Sequence, residues 1–266
     1  MHEIIDLERY PLDRIDSPEG RKLVERCRDD LARDGMFNLV GLMLPEAIEK
    51  VVAQTTSMFQ SDAFTHRRKH NIYFLPEVPG LAADHPALQQ FETINHTICS
   101  DQIPTSALIK LYEWPPFAAF LAAVMDKPSL HQMDDPLARL NVMGYGRGDA
   151  LNWHFDRSEF TTTLLLQSPE QGGEFQYRTG LRSDEDANYD GVAEFLNHGQ
   201  ASASSLRLNA GTLNVFRGKN TAHRVTPVEG ERKRIIAVFS YYEKAGVQFS
   251  EEEQIGFYGR AVQVLS

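Results

Sequence analysis

Cysteine is scarce in this chain of 266 residues, which contains only Cys27 and Cys99. Two cysteines are too few for a disulfide framework, and their spacing matches no zinc-binding motif. The first residues also lack the basic segment followed by an apolar run that marks a secretory signal. These absences predict a protein of a reducing compartment, and we expect it to be cytoplasmic.

Long apolar runs and an excess of basic residues are missing as well. No apolar stretch approaches the ~20 residues that a membrane helix needs, so we expect no membrane partner. The chain has 27 Lys and Arg against 37 Asp and Glu, which gives a net charge of −10. An acidic protein repels phosphate backbones, which argues against a nucleic acid partner. The expected partner is a small-molecule substrate, and the sequence leaves a homo-oligomer open.

The first half of the chain has the apolar spacing of helices. Residues such as Leu23, Cys27 and Leu31 recur every three or four positions. The helices predicted in this way cover 17–34, 44–59, 86–101 and 106–126, with the last interrupted by two consecutive prolines.

The second half has the spacing of strands, in short segments rich in Val, Thr, Phe and Tyr and separated by Gly and Pro. The predicted strands cover 139–145, 151–156, 160–167, 173–178, 204–208, 211–216, 221–227 and 233–242. Residues 180–203 are polar and predict a long loop. The expected fold class is mostly β with α, a sandwich or jelly roll with helices packed outside it.

The segment 152–156 is the most informative one, because it places His154 and Asp156 two residues apart on a predicted strand. Alternate residues of a strand share a face, so the two side chains project together, about 6–7 Å apart at the backbone. They supply two thirds of a 2-His-1-carboxylate facial triad. That triad suits non-haem Fe(II), because it leaves three coordination positions free for cosubstrate and O₂. The two-residue motif alone is weak, so a second histidine must come from a distant strand.

His223 is the candidate for that second histidine, and its surroundings predict a hairpin with residues 227–230 as the turn. In this register Arg234 would lie directly opposite His223 and share its face. A buried guanidinium needs an anion. A dicarboxylate that chelates the iron at one end would supply that anion at the other, in bidentate geometry. Arg232 lies on the same face by parity and is the alternative anchor if the register slips by two residues.

The order of these residues resembles the Fe(II)/2-oxoglutarate-dependent dioxygenases. His154-x-Asp156 is followed by His223 and then by Arg234, as in that family. The flanking segments that also match are 145–149 (Tyr-Gly-Arg-Gly-Asp), 211–213 (Gly-Thr-Leu) and 223–228 (His-Arg-Val-Thr-Pro-Val). As a set these motifs are specific, and the resemblance covers roughly residues 138–244.

The resemblance implies a double-stranded β-helix, which is this family's form of the jelly roll. We expect a single oxygenase domain over 1–266. Residues 1–137 would form a mainly helical support, residues 138–244 the jelly-roll metal core, and residues 245–266 a C-terminal extension.

The resemblance also implies the cofactors and the reaction. Fe(II) would be held by His154, Asp156 and His223, and the distal carboxylate of 2-oxoglutarate would bind Arg234. Tyr145 matches a position whose hydroxyl often contacts the same cosubstrate. O₂ would convert 2-oxoglutarate to succinate and CO₂ while a substrate C–H bond is oxidised.

Within the family, the chain is most similar to a branch that acts on small metabolites and includes radical halogenases of free amino acids. The halogenases have a small residue where this chain has Asp156, so the resemblance favours oxygenation over halogenation. We therefore expect hydroxylation of an aliphatic C–H bond in a small polar metabolite, such as a free amino acid or a derivative. The alternatives are a desaturase or cyclase with the same iron chemistry, a protein hydroxylase, and a non-catalytic metal-binding sensor.

Several polar residues are candidates for lining the pocket. The basic run 66–71 is expected to be a loop that is either solvated or lies over the pocket and binds an anionic group of the substrate. In the second case Asn71 and Tyr73 would point inward. Asn141 shares a face with Tyr145 and would contact cosubstrate or substrate. Arg157 and Ser240 are further substrate candidates, the first because it follows Asp156 and the second because it shares the face of Arg234.

Overall fold

The computed structural model describes residues 1–262. Within this part of the chain the α-helices are α1 (Pro18–Asp34), α2 (Pro45–Thr56), α3 (Met58–Ser61), α4 (Ala107–Tyr112), α5 (Pro115–Val124), α6 (Tyr189–Glu194) and α7 (Glu251–Tyr258). A search of the same residues finds no helix of the length and apolarity needed to cross a membrane.

Helix α1 shows how local chemistry sets the bounds of a helix. Ser17 Oγ accepts a hydrogen bond from the backbone N–H of Gly20 at 3.0 Å, and Pro18 occupies the first turn. Gly35 ends the helix with a left-handed φ of 74°, and its N–H donates to the Leu31 carbonyl. The prediction over 17–34 is therefore confirmed.

Most of the strands lie in the second half of the chain. They are β1 (Met36–Leu39), β2 (Phe64–His70), β3 (Phe91–Cys99), β4 (His131–Gln132), β5 (Leu140–Tyr145), β6 (Leu151–His154), β7 (Thr161–Gln167), β8 (Gln171–Gly172), β9 (Phe175–Arg178), β10 (Ser204–Leu206), β11 (Leu213–Phe216), β12 (Ala222–Val225), β13 (Val228–Glu229), β14 (Arg234–Phe239) and β15 (Tyr241–Tyr242).

Two antiparallel sheets form the centre of the protein. The larger sheet has the order β1-β11-β7-β14-β5-β3-β2, and the smaller sheet has the order β10-β9-β12-β6. Successive strands such as β5, β6 and β7 alternate between the two sheets, which is the jelly-roll pattern. The predicted fold class, a mostly β jelly roll with packed helices, is confirmed.

The main core lies between the helices and the outer face of the larger sheet. Phe117 and Phe120 of α5 are fully buried there with Leu140 and Val142 of β5. Each such side chain contributes about 1.5–3 kcal/mol when it leaves water. The inner face of the larger sheet is turned towards the smaller sheet, and the two sheets enclose a cavity.

Three predictions of local structure are wrong. Residues 86–101 contain strand β3 rather than a helix, and the basic run 66–71 lies mostly in strand β2 rather than in a loop. The polar stretch 180–203 contains helix α6 followed by a π-helical turn at Phe195–Gly199. Its apolar residues pack against Trp153 and Phe155, and that burial stabilises the helical conformation.

Candidate metal centre and cosubstrate pocket

Two strands of the smaller sheet bring three metal-ligating side chains together. His154 ends β6, and His223 lies directly opposite it in β12. Asp156 follows, and its backbone N–H donates to the Gly218 carbonyl oxygen at 3.0 Å. Nε2 of each histidine lies 3.4 Å from an oxygen of Asp156, and ligand atoms of the three residues lie within 4.8 Å of one another. The sequence prediction had named the same three residues.

Backbone carbonyls orient both imidazole rings. Nδ1 of His154 donates to the carbonyl of Asn152 at 2.7 Å, and Nδ1 of His223 donates to the carbonyl of Thr221 at 2.9 Å. Because the proton is then on Nδ1, the Nε2 lone pair is free for a metal. Burial lowers the pKa of His154, and the neighbouring His223 lowers it further. The neutral ring that a metal requires is therefore favoured.

The surroundings of Asp156 suit a carboxylate. Burial would raise the pKa of Asp156, but the two neighbouring imidazoles hold that pKa well below its usual range. Thr161 Oγ1 donates to Asp156 Oδ2 at 2.5 Å. Gly218 lies against the same carboxylate, where an added Cβ would overlap both Asp156 and Thr161. The fold thus keeps both space and a hydrogen bond for this side chain.

Loss of the Thr161 hydroxyl is expected to weaken iron binding without unfolding the protein. Thr161→Val keeps the shape of the side chain but leaves one oxygen of Asp156 without its donor, and loss of such supporting contacts costs about 10- to 100-fold in metal affinity. An anaerobic Fe(II) titration measures the effect. Thr162→Val is the matched control, because Thr162 points to the other face of β7. Equal iron affinity in the two variants would contradict the assignment.

Arg234 reaches this cavity from the opposite sheet, so the predicted hairpin is wrong. Strand β12 pairs with β6 and β9, whereas β14 pairs with β5 and β7. The residue directly opposite Arg234 is Tyr145, not His223. Between the two strands, β13 pairs with β8, and the chain crosses from the smaller sheet to the larger one. His223 and Arg234 therefore line one cavity from its two sides.

The setting of Arg234 fits an anionic ligand. The residue is 3% exposed, and its Nη1 has no hydrogen-bond partner. Residues 1–262 place no carboxylate within ion-pair distance of its guanidinium. Burial lowers the pKa of Arg234, and the nearby Tyr145 opposes that shift. Arg232, the alternative anchor, is exposed and donates to the Pro169 carbonyl at 3.4 Å, outside the cavity lining. That placement favours Arg234.

Tyr145 and Asn141 both line the cavity from β5, but only Tyr145 lies beside Arg234. The Tyr145 ring is 1% exposed, and its centroid lies 5.7 Å from Arg234 Cζ. The Asn141 amide donates to the carbonyl of Leu137 at 2.7 Å and accepts from the Tyr258 hydroxyl at 3.0 Å. Asn141 therefore ties β5 to α7, and a direct contact with cosubstrate is not supported.

The other substrate candidates are occupied elsewhere. Asn71 Oδ1 accepts from the N–H groups of Tyr73 and Leu75, and the Tyr73 hydroxyl donates to the Ala187 carbonyl at 2.7 Å. Ser240 Oγ donates to the Ala138 carbonyl at 3.0 Å, and Arg157 forms a 2.8 Å ion pair with Glu253. None of the four candidates lines the cavity. The polar groups of these residues hold neighbouring segments of the chain in place, and nothing in this arrangement supports the expectation that they face substrate.

Other residues that line the cavity were not singled out by the sequence analysis, which included His66 and Arg68 only as part of a basic loop. Strand β2 contributes His66 and Arg68, strand β3 contributes Asn95 and Thr97, and helix α7 contributes Phe257. The alternation of inward and outward positions in β2 is visible in the structure, but both faces carry charged residues in the sequence. No apolar pattern marked the segment as a strand.

Comparisons with known proteins agree with this geometry. The family described as Halogenase D (HalD) matches residues 20–254, while a search of curated proteins found no match. SnoN, a non-haem α-ketoglutarate-dependent epimerase from nogalamycin biosynthesis, is similar in structure, with a TM-score of 0.57 at 15% identity over 83% of this chain and 81% of SnoN.

Two further solved structures have the same fold. HygX from Streptomyces hygroscopicus, solved with nickel, 2-oxoglutarate and hygromycin B, has a TM-score of 0.56 at 13% identity, covering 85% of this chain and 89% of HygX. An oxidoreductase of the 2OG-Fe(II) oxygenase family from Burkholderia pseudomallei has a TM-score of 0.51 at 13% identity, covering 84% of this chain and 92% of the oxidoreductase. This chain belongs to the Halogenase D family, shares its fold with the three solved proteins named above, and has a His-Asp-His donor set of the kind that holds Fe(II).

Proposed function

We propose that the protein hydroxylates an aliphatic C–H bond of a small polar metabolite, with succinate and CO₂ as coproducts. The observation that supports this best is the joint placement of a His-Asp-His donor set and a buried arginine without a counterion in one cavity. A facial donor set suits Fe(II), and a buried guanidinium suits the far carboxylate of 2-oxoglutarate.

In this proposal His154, Asp156 and His223 hold the iron, and Arg234 binds the distal carboxylate of 2-oxoglutarate beside Tyr145. When bound, iron and 2-oxoglutarate supply the oxidising chemistry. The chain supplies geometry: carbonyls that orient the two histidines, a threonine that fixes the carboxylate, and apolar walls that keep water from the reacting C–H bond. Phe175, Phe216 and Ile236 are among those walls.

The size of the cavity favours a small substrate over a protein segment. The cavity measures about 230 Å³. Ligand sites for small molecules usually occupy about 300–1,000 Å³, so this cavity is smaller than the usual range. Nogalamycin RO and hygromycin B are small molecules bound by the structural relatives SnoN and HygX, and we propose a small molecule here as well.

Hydroxylation is favoured over halogenation by Asp156. A halide at the iron would need a position without a protein ligand, and here Asp156, which accepts a hydrogen bond from Thr161, would take that position. Desaturation and ring closure use the same donor set, and the mass of the product distinguishes them from hydroxylation.

A screen of free amino acids and their derivatives for substrate-stimulated succinate release tests the proposal. The assay is run with and without chloride, and products are weighed by mass spectrometry. We expect the gain of one oxygen atom whether or not chloride is present. Loss of two hydrogens would indicate desaturation or cyclisation, and replacement of hydrogen by chlorine would contradict the role given to Asp156. Iron uptake without any oxygen consumption would instead identify a metal-binding sensor.

A further inference from the structure

The edge strand β2 sends one arginine into the cavity. Along Phe64–His70 the partly buried residues alternate with exposed ones, so Arg68 points inward and Arg67 points outward. Arg67 forms a 3.2 Å ion pair with Glu92, as expected for a surface charge. Arg68 lines the same cavity as the metal-ligating residues.

Arg68 is surrounded by aromatic rings rather than by carboxylates. Its Cζ lies 4.1 Å from the centroid of Phe74 and 5.7 Å from that of Phe257. Its buried Nε has no hydrogen-bond partner, and within residues 1–262 its guanidinium forms no ion pair. Aromatic faces attract a cation weakly, but they do not neutralise it. A ligand that accepts hydrogen bonds would complete this environment.

Phe74 shows that this wall of the cavity is held in an unusual conformation. Its φ is 55°, in the left-handed region that bulky residues seldom adopt. Its ring lies between Arg68 and His154, with its centroid 5.4 Å from the centroid of His154. Backbone strain of this kind costs about 1–3 kcal/mol and clusters at ligand sites.

The charges of the loaded site leave Arg68 without compensation. Fe(II) carries two positive charges and 2-oxoglutarate carries two negative charges. Asp156 carries one negative charge and Arg234 one positive charge, so the charges of these four groups cancel. Burial lowers the pKa of His66 and of His70 to about 4, so both histidines are neutral near pH 7. The charge of Arg157 is balanced by Glu253. One positive charge therefore remains in the cavity, on Arg68.

Arg68 and Arg234 enter the cavity from strands that are not neighbours in the larger sheet. Strand β14 is separated from β2 by β5 and β3 in the larger sheet. Three steps of about 4.8 Å along a sheet place the two strands roughly 14 Å apart. If Arg234 binds 2-oxoglutarate, Arg68 is available for a second anion.

We propose that Arg68 binds the carboxylate of the substrate, and that the substrate is a monocarboxylate with no cationic group inside the cavity. This proposal rests on the proposed function and narrows its substrate class. A single negative charge matches the single uncompensated arginine. Apart from Asp156, the residues that line the cavity include no carboxylate, so an ammonium group would find no counterion there. N-acylated amino acids and other organic acids meet both conditions better than free amino acids do.

Titration calorimetry on the Fe(II)- and 2-oxoglutarate-loaded protein under anaerobic conditions tests the proposal. The probes are a set of N-acetyl amino acids, the parent amino acids, the matching alkylamines and alkyl phosphates. We expect the N-acetyl amino acids to bind most tightly. Arg68→Gln should raise their Kd about 10- to 100-fold, because a charge-assisted hydrogen bond is lost. Arg68→Lys should restore part of the affinity.

Arg67→Gln is the matched control and should bind the probes like the wild type, because Arg67 lies on the outer face of the same strand. The Kd for 2-oxoglutarate should stay unchanged in Arg68→Gln. The proposal is overturned if amines, free amino acids or phosphates bind as tightly as the N-acetyl compounds, if no probe binds, or if Arg68→Gln loses 2-oxoglutarate instead. Succinate release is measured separately: a wild type that binds the acids but forms no succinate would contradict the proposed function and leave this assignment standing.

Discussion

Arg234→Gln is expected to raise the Kd for 2-oxoglutarate by about 100-fold while iron binding stays unchanged. Truncating one partner of a buried, hydrogen-bonded charge pair costs about 2–5 kcal/mol, which corresponds to roughly 30- to 5,000-fold in affinity. Arg234 is buried opposite Tyr145 and has an unpartnered Nη1, so the amide of glutamine replaces neither its charge nor its second donor. Calorimetric titration of the anaerobic Fe(II) protein with 2-oxoglutarate measures the change.

Arg232→Gln is the control for this prediction, because it removes the same charge two residues away. Its side chain is exposed and reaches only the Pro169 carbonyl. We expect its Kd for 2-oxoglutarate to remain within about twofold of the wild type, since exposed charges contribute little. Loss of binding in Arg232→Gln, with normal binding in Arg234→Gln, would reverse the assignment.

Asp156→Ala is expected to abolish succinate formation. The substitution removes one of three donors, so iron affinity should fall more than the roughly 10- to 100-fold caused by the loss of a supporting contact. Because Asp156 lies beyond the end of β6 and outside the main core, the fold should be retained, which circular dichroism checks. Asp184→Ala removes a carboxylate that pairs with Lys219 at the surface and should leave turnover intact. Normal succinate release by Asp156→Ala would disprove the donor set.

The parity of strand residues was enough to predict part of the site. The sequence predicted His154 and Asp156 on one strand face, and their spacing with His223 and Arg234 carried the family resemblance. In the structure β6 ends at His154, and Asp156 lines the same cavity from the turn that follows. The predicted register, which paired His223 with Arg234, is wrong, because consecutive strands of a jelly roll lie in opposite sheets. His223 and Arg234 face each other across the cavity because of how the two sheets pack, and the local sequence does not encode that packing.

Strand β3 shows why a wall of the cavity was taken for a helix. Ile94 and Ile98 are four residues apart, a spacing that fits one turn of a helix and also one face of a strand. The alternating positions Thr93, Asn95 and Thr97 are buried, yet they are polar, and two of them line the cavity. A strand whose inner face serves a polar site lacks the apolar alternation by which strands are recognised.

Helix α6 was missed for a different reason. Val192, Phe195 and Leu196 have helical spacing, but they stand in a segment dominated by polar residues. Burial of these three side chains against the back of β6 outweighs the local polarity, and this contribution appears only in the folded structure.

One part of the cavity wall is formed by strands that carry the donor residues and Arg234, and another part is formed by elements at the edge of the larger sheet. The donor residues and Arg234 come from β6, β12 and β14 of the jelly roll or from the turn after β6, whereas Arg68 and Phe257 come from β2, at the edge of the larger sheet, and from helix α7, which packs against β2. Natural selection could exchange these marginal pieces without disturbing the oxygen chemistry. Descendants of one ancestral scaffold would then diverge in the metabolites they accept while inheriting the same reactive centre.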